Sequence, residues 1–255
     1  MKTLIHTLRA ALMVGLFSVL AWSASGQTPT QLWVQRHNGT GNSDDNPIAT
    51  AVDSEGNIIV TGASSPGGFA LDYYTAKYSG VTGALIWEKR YDGGVDQNDI
   101  ANSVAVDNAG NVIVTGRSGG ANGEPDFYTA KYASGDGTLL WEHRYNGAAN
   151  GTDIAYSVGV DSAGNVAVTG SSADATGSLD VYTAKYASAN GALLWEKRYA
   201  GPSNQIDEGY SLAFDGAGNV IITGASFSST TNRDSYTAKY AAADGALLWE
   251  RREWH

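Results

Sequence analysis

The chain has 255 residues, a formal net charge of −10 and no cysteine. Because cysteine is absent, disulfide bonds, thiolate catalysis and thiolate metal sites are excluded, and stability must come from packing. The acidic balance also disfavours nucleic acids and anionic membranes as partners, since these require clustered cationic side chains.

Residues 1–26 have the layout of a secretory signal peptide. Lys2 and Arg9 give a basic start, residues 10–22 form an apolar stretch, and small residues follow. This layout predicts cleavage before Gln27, and the apolar stretch is too short for a comfortable membrane span. We therefore expect a secreted or periplasmic protein without a membrane span after cleavage. An uncleaved N-terminal anchor is the alternative.

After the predicted signal peptide, the chain repeats a 54-residue unit without insertion or deletion. A D-x-x-G-N turn begins at Asp53, Asp107, Asp161 and Asp215. A tryptophan recurs at Trp33, Trp87, Trp141, Trp195 and Trp249. The predicted repeats span about 42–95, 96–149, 150–203 and 204–255, within a domain of residues 27–255. A period of this length indicates a repeat architecture.

Each unit contains four short stretches that are typical of strands. In the second unit they are residues 103–106, 111–115, 127–132 and 139–145. They are rich in β-branched and aromatic residues and are bounded by Gly, Asn, Asp and Ser. Four such stretches per unit predict an all-β fold, a β-propeller of four 54-residue, four-stranded blades. Residues 31–37 repeat the fourth stretch and predict one extra N-terminal strand.

The D-x-x-G-N segments are predicted to be tight turns. In the second unit, Asp107 can accept backbone N–H bonds and Gly110 can adopt a positive φ. A calcium loop would need an oxygen ligand two residues after the aspartate, where the second unit has Ala109. No metal ligand is therefore assigned to these turns.

Lysines of the third stretch and glutamates of the fourth recur in every unit. They are Lys77, Lys131, Lys185 and Lys239, and Glu88, Glu142, Glu196 and Glu250. Their spacing predicts cross-strand ion pairs and no catalytic role. The five repeated tryptophans are predicted to fill the space between neighbouring blades.

The units resemble the bacterial SBBP-type β-propeller repeat of exported proteins. The resemblance is carried by V-A-V-D-x-x-G-N-V-x-V-T-G at 104–116, by Y-T-A-K-Y at 128–132 and by G-x-L-L-W-E at 137–142. It implies a propeller fold and no common reaction. The end of each unit also resembles the tryptophan-docking motif of quinoprotein dehydrogenase propellers, where Gly and Trp lock adjacent blades. That resemblance implies the structural role only, because the nearly uniform repeats supply no asymmetric quinone site.

A second group of aspartates also lies in register, just before the first strand of each unit. They are Asp45, Asp99, Asp153 and Asp207. We expect these carboxylates to circle one end of the central channel, where they could bind a cation such as calcium or a basic peptide. The alternative is that each carboxylate caps its own turn. The variable loops between the second and third strands are expected on the same face, which makes that face a candidate binding surface.

The sequence favours a non-catalytic exported scaffold for binding or assembly, whose partner is an unidentified protein or polysaccharide. No catalytic residue and no cofactor is assigned. One alternative is a propeller hydrolase or lyase on extracellular polymers, with Asp99, Asp153 and Asp207 as acid and base. Another is a calcium-dependent carbohydrate-binding module.

Residues 31–37 repeat the fourth strand once more than four blades need. Three arrangements therefore stay open: an open arc from a larger propeller, a four-bladed ring with a spare strand, or a homodimer closing a larger ring.

Overall fold

A computed structural model describes residues 31–253, except residues 40, 69, 95–96, 204 and 229–232. The predicted signal peptide lies outside this range. The described residues form sixteen strands. The strands are β1 (Asp45–Val52), β2 (Ile58–Ser64), β3 (Asp72–Tyr78), β4 (Leu85–Tyr91), β5 (Ile100–Val106), β6 (Val112–Gly119), β7 (Pro125–Tyr132), β8 (Leu139–Tyr145), β9 (Asp153–Val160), β10 (Val166–Ala173), β11 (Leu179–Tyr186), β12 (Leu193–Tyr199), β13 (Asp207–Phe214), β14 (Val220–Phe227), β15 (Arg233–Tyr240) and β16 (Leu247–Glu253).

The strands form four antiparallel sheets, each with its four strands in chain order. We name them blade 1 (β1–β4), blade 2 (β5–β8), blade 3 (β9–β12) and blade 4 (β13–β16). Each blade lies within one predicted repeat. The prediction of an all-β propeller with four four-stranded blades is confirmed. No helix of the described residues is long and apolar enough to cross a membrane.

The core lies between adjacent blades, which pack in chain order. Between blades 2 and 3, for example, Ile113, Phe127 and Trp141 pack with Val168 and Tyr182 of the next blade. The middle strands β6 and β7 are buried along nearly their whole length, because blades cover both of their faces. The outer strand β8 alternates between exposed and less exposed positions, as expected for a strand with one solvated edge.

The turn after the first strand has the predicted geometry. In blade 2, the Oδ1 atom of Asp107 accepts hydrogen bonds from the backbone N–H groups of Ala109 and Asn111, both at 2.9 Å. The side-chain amide of Asn111 donates to Oδ2, also at 2.9 Å. Gly110 adopts a φ of 79°, which L-residues with side chains rarely do. The aspartate side chain therefore accepts turn N–H groups that have no acceptor within the sheet ladder.

The predicted cross-strand lysine–glutamate pairs are wrong. Lys77 lies opposite Trp87 and Glu88 lies opposite Ala76, so the two charges are offset by one residue in the ladder. Side chains at adjacent positions of a strand point to opposite faces, and the lysine and glutamate therefore diverge. The Nζ atom of Lys77 instead lies 2.9 Å from Oδ2 of Asp53. Glu88 accepts a hydrogen bond from the hydroxyl of Tyr74 at 2.7 Å.

The predicted extra strand is also wrong in its secondary structure, because residues 31–39 pair with no strand of the described chain. Side chains hold this segment on blade 1 instead. The indole N–H of Trp33 donates to the carbonyl of Gly80 at 2.9 Å, and the Gln35 amide donates to the carbonyl of Gly83 at 2.8 Å. The segment therefore docks against the sheet without extending it.

Candidate functional site: the joints between blades and the two open faces

The joint between blades 1 and 2 is organised around one backbone carbonyl. The indole N–H of Trp87 donates to the carbonyl of Ser134 at 3.0 Å, and Nζ of Lys77 donates to the same oxygen at 2.9 Å. Gly137 follows in the same β7–β8 hairpin. A Cβ atom on Gly137 would lie 2.8 Å from the Trp87 ring, so glycine is needed for the ring to pack there. The joint thus combines an aromatic contact with two donors to one acceptor.

The same arrangement recurs at the two later joints. Between blades 2 and 3, Trp141 and Lys131 donate to the Ser188 carbonyl at 3.2 and 3.1 Å. Between blades 3 and 4, Trp195 and Lys185 each donate to the Ala242 carbonyl at 3.2 Å. The glycines beneath these two indoles are Gly191 and Gly245. The three joints within the chain are therefore built to one geometry.

A stacked pair of aromatic rings completes each joint. Tyr91 stacks on Tyr128 of blade 2 with ring centroids 3.8 Å apart. The equivalent pairs are Tyr145 with Tyr182, at 4.0 Å, and Tyr199 with Tyr236, at 3.8 Å. Such offset aromatic contacts stabilise an interface beyond the area that they bury.

The lysine of each joint is also held by the turn aspartate of its own blade. The Lys77–Asp53, Lys131–Asp107 and Lys185–Asp161 pairs have Nζ–Oδ2 distances of 2.9 Å, and the side chains are buried. Burial would raise the pKa of Asp53, but the hydrogen bonds from Lys77 and Asn57 outweigh it and lower this pKa to about 2. The ion pair orients the ammonium group towards the next blade.

Blade 1 has an open face where a preceding blade would pack, and residues 31–37 cover part of it. Trp33 lies over Gly83, where an added Cβ would come within 2.7 Å of the indole. His37 stacks on Tyr74 with centroids 4.0 Å apart, in the place of the tyrosine pairs of the internal joints. A cavity of about 320 Å³ remains beside these residues, with Ile58, Val60 and Tyr78 in its lining. The N-terminal segment therefore makes some of the contacts that a preceding blade would make and leaves part of the face uncovered.

Blade 4 has an open face on the side where a following blade would pack. We define the blade 4 open face by Thr223, Ser235, Lys239 and Trp249, all of which are buried or better covered at the equivalent positions of blade 2. Trp249 is 44% exposed, whereas Trp87, Trp141 and Trp195 are each 6% exposed. The side chain of Lys239 is 23% exposed, against 3% for Lys131. Among the described residues, the Trp249 indole N–H makes no hydrogen bond of the kind that Trp87, Trp141 and Trp195 make.

The four aspartates predicted to circle the channel accept hydrogen bonds from turns. In each unit, Oδ2 accepts a hydrogen bond from the backbone N–H of a glycine six residues earlier. The acceptor and donor pairs are Asp45 with Gly39, Asp99 with Gly93, Asp153 with Gly147 and Asp207 with Gly201. Asp99, Asp153 and Asp207 are 0% exposed. These hydrogen bonds match the turn-cap alternative, and a ligand-binding role of the four carboxylates stays a prediction.

One of these aspartates lies in an acidic cluster. Ligand oxygens of Asp72, Asp92 and Asp99 lie within 4.8 Å of one another. The position of Asp92 is taken by Asn146 and Ala200 in the next two units, so the three-carboxylate cluster is not a feature of the repeat. Burial, followed by the negative charge of Asp92, raises the pKa of Asp72, while the charge of Arg90 opposes the shift.

No known family's sequence profile matches this chain, and no curated protein matches it. Several solved structures do. BamB from Moraxella catarrhalis is 16% identical with a TM-score of 0.50, over 80% of this chain and 48% of BamB. A quinohemoprotein alcohol dehydrogenase from Comamonas testosteroni is 13% identical with a TM-score of 0.56, over 82% of this chain and 35% of the enzyme. A protein of unknown function from Dyadobacter fermentans is 9% identical with a TM-score of 0.53, over 81% of this chain and 68% of that protein.

These similarities show the fold alone, which is that of β-propeller proteins. The chain spans about half the length of BamB and about a third of the length of the dehydrogenase. Membership of the SBBP repeat family stays a prediction.

Proposed function

We propose that this chain is an exported, non-catalytic assembly module that binds another protein through its open blade faces. The observation that carries the proposal is the exposure of Trp249, 44% against 6% for its three equivalents. An indole that is buried at every internal joint is presented to solvent here, with a lysine beside it. Exposed apolar surface of this kind is typical of protein–protein contact sites.

The chemistry of the joints defines the partner that fits. A matching surface must offer a backbone carbonyl to two donors and a glycine beneath the indole, as Ser134 and Gly137 do for Trp87. A propeller blade has both features. The partner is therefore a protein that carries a compatible blade, and export is supported by the signal-peptide layout of residues 1–26.

The hydrolase and lyase alternatives depend on Asp99, Asp153 and Asp207, and the calcium-dependent carbohydrate-binding alternative depends on these three together with Asp45. The carboxylates of Asp99, Asp153 and Asp207 are fully buried and accept turn N–H groups. This geometry gives those alternatives no support, and we do not propose them.

Site-specific photocrosslinking tests the proposal. A photoreactive phenylalanine analogue would replace Trp249 in one sample and Leu248 in the control, in cells that produce the protein. Leu248 is 51% exposed and its equivalent Leu194 is 46% exposed although blade 4 packs on blade 3, so this position faces solvent in every blade. We expect an adduct at position 249 whose crosslinked peptide, identified by mass spectrometry, belongs to a blade hairpin, and none at 248. Equal labelling at both positions, or none at 249, would refute the assembly role.

A further inference from the structure

The internal joints show that the blade 4 open face is complementary to the open face of blade 1. Each joint pairs a Trp and a Lys of one blade with the β-hairpin carbonyl and glycine of the next. Blade 4 supplies Trp249 and Lys239, and blade 1 supplies the Gly80 carbonyl and Gly83. The two open faces of one chain therefore carry the two halves of a joint that this chain builds three times internally.

We propose, building on the assembly role, that the partner is a second copy of this chain, and that two copies join head to tail in both directions to close one ring of eight blades. A heterologous contact of this kind either closes a ring or continues into a filament. Closure is favoured because it covers both open faces of each copy, whereas a filament leaves one face uncovered at each end.

Residues 31–37 compete with the second copy for the same site. The sequence L-W-V-Q-R at 32–36 corresponds to L-W-E-R-R at 248–252. Trp33 already fills the position over Gly83 and donates to the Gly80 carbonyl, so Trp249 of another copy can bind there only after Trp33 leaves. The N-terminal segment is thus an internal mimic that holds each copy in a closed, unpaired state.

The mimic is weaker than the blade that it imitates. The segment pairs with no strand of the described chain and contains no lysine, whereas β16 belongs to a four-stranded sheet that also presents Lys239. Blade 4 differs from the other blades at two positions of the joint. Glu253 stands where Tyr91, Tyr145 and Tyr199 make the stacked pair, and Ser235 stands where Tyr73, Phe127 and Val181 are buried. The joint between copies therefore lacks contacts that the internal joints have, and we expect reversible, concentration-dependent pairing.

Light scattering coupled to size exclusion tests this inference on the protein from residue 27 to 255. We expect the mass of two copies at high protein concentration and of one copy on dilution. Trp249→Ala should abolish pairing, and Leu248→Ala, the matched control on the neighbouring solvent-facing position, should leave it unchanged. Trp33→Ala removes the competitor's anchor without shortening the chain. It should shift pairing to a concentration at least about tenfold lower, because a larger fraction of the chain is competent to bind.

Three results would overturn the inference: one copy at every concentration for both the natural chain and Trp33→Ala, unchanged pairing of Trp249→Ala, or a ladder of larger assemblies instead of a closed pair. Its failure is distinguishable from failure of the assembly role. A crosslink from position 249 to a blade of a different protein would retain the assembly role and refute pairing with a second copy. No crosslink from position 249 would refute both.

Discussion

Lys77 and Asp53 form a buried ion pair, 2.9 Å from Nζ to Oδ2, and the same lysine donates to the Ser134 carbonyl of the next blade. One side chain therefore connects a turn of its own blade with the hairpin of the next. The equivalent pair in blade 4, Lys239 with Asp215, has the same connection within the blade but faces solvent. The same lysine–aspartate ion pair therefore occurs buried in a joint in blade 1 and exposed to solvent in blade 4.

Breaking a buried copy of this pair should cost far more than breaking the exposed copy. Lys131→Met leaves Asp107 charged and buried without its partner, and we expect a loss of about 3 kcal/mol in the free energy of unfolding. Lys239→Met should cost much less, because solvent screens the exposed pair. Urea denaturation followed by tryptophan fluorescence measures both. Equal losses would show that the lysine is not buried in the joint as described.

The glycine beneath each docked indole should tolerate no side chain. Gly137 has a φ of 68°, and an added Cβ would lie 2.8 Å from the Trp87 ring. Gly137→Ala should therefore lower the free energy of unfolding by at least about 1–2 kcal/mol through backbone strain alone. Gly135, in the same hairpin, has no atom within 4 Å of an added Cβ. Gly135→Ala should change stability by less than about 0.5 kcal/mol, and a similar loss for both variants would contradict the docking geometry.

The Asp53 carboxylate should contribute to stability above about pH 4 and lose this contribution in acid. Its pKa is about 2 in the folded protein and about 3.9 in an unfolded chain, so the unfolded state binds the proton first as the pH falls. The contribution is complete above the unfolded pKa and disappears as the pH falls through about 2. Asp53→Asn should flatten the fall in stability between pH 4 and 2, measured by urea denaturation at each pH. An unchanged slope would show that the ion pair does not titrate in this window.

The turn-capping carboxylate of Asp153 should behave in the opposite sense. Burial raises the pKa of Asp153, despite the opposing hydrogen bonds from Ser172 and Gly147. Protonation therefore favours the folded state, and the contribution is present below about pH 4 and lost as the pH rises through the raised pKa. Asp153→Asn keeps an acceptor oxygen for the Gly147 N–H and removes the buried charge, so stability at pH 7 should be unchanged or higher.

Asp153→Ala provides the control for this site. It leaves the Gly147 N–H without its acceptor and should cost about 1–3 kcal/mol. Thermal unfolding of the two variants beside the natural chain distinguishes these effects. A loss of stability in Asp153→Asn as large as in Asp153→Ala would show that the charge itself is needed, as a bound cation would require.

The fold was predictable because its signals are periodic. The 54-residue period, the strand patterns and the D-x-x-G-N turns are local features, and each recurs in four units. The partner of Lys77 was not predicted, because it depends on strand register. The ladder is irregular between Lys77 and Tyr78, and the lysine lies opposite Trp87 instead of Glu88. A usable signal was the constant separation between Asp53 and Lys77, which recurs in every unit.

The surroundings of the second aspartate group could not be predicted from the sequence, because they depend on the path of the preceding loops. Asp99 accepts the N–H of Gly93, and its side chain is fully buried. The recurring glycine six residues before each of these aspartates was the available signal. The G-A-L-L-W-E segment at 245–250 is identical to that at 191–196, so the residues next to Trp249 give no signal of its exposure. The available signal lies further along the strand, where Glu253 stands at the position of Tyr199.

Hydroxyl-radical footprinting of the tryptophans over a range of protein concentrations tests the central claim most directly. We predict that Trp249 is strongly labelled in dilute solution and protected at high concentration, while Trp33 shows the reverse change as it leaves blade 1. Trp87, Trp141 and Trp195 should be protected throughout. Labelling of Trp249 and Trp33 that does not depend on concentration would contradict pairing through the open faces, and constant protection of Trp249 would contradict the open face itself.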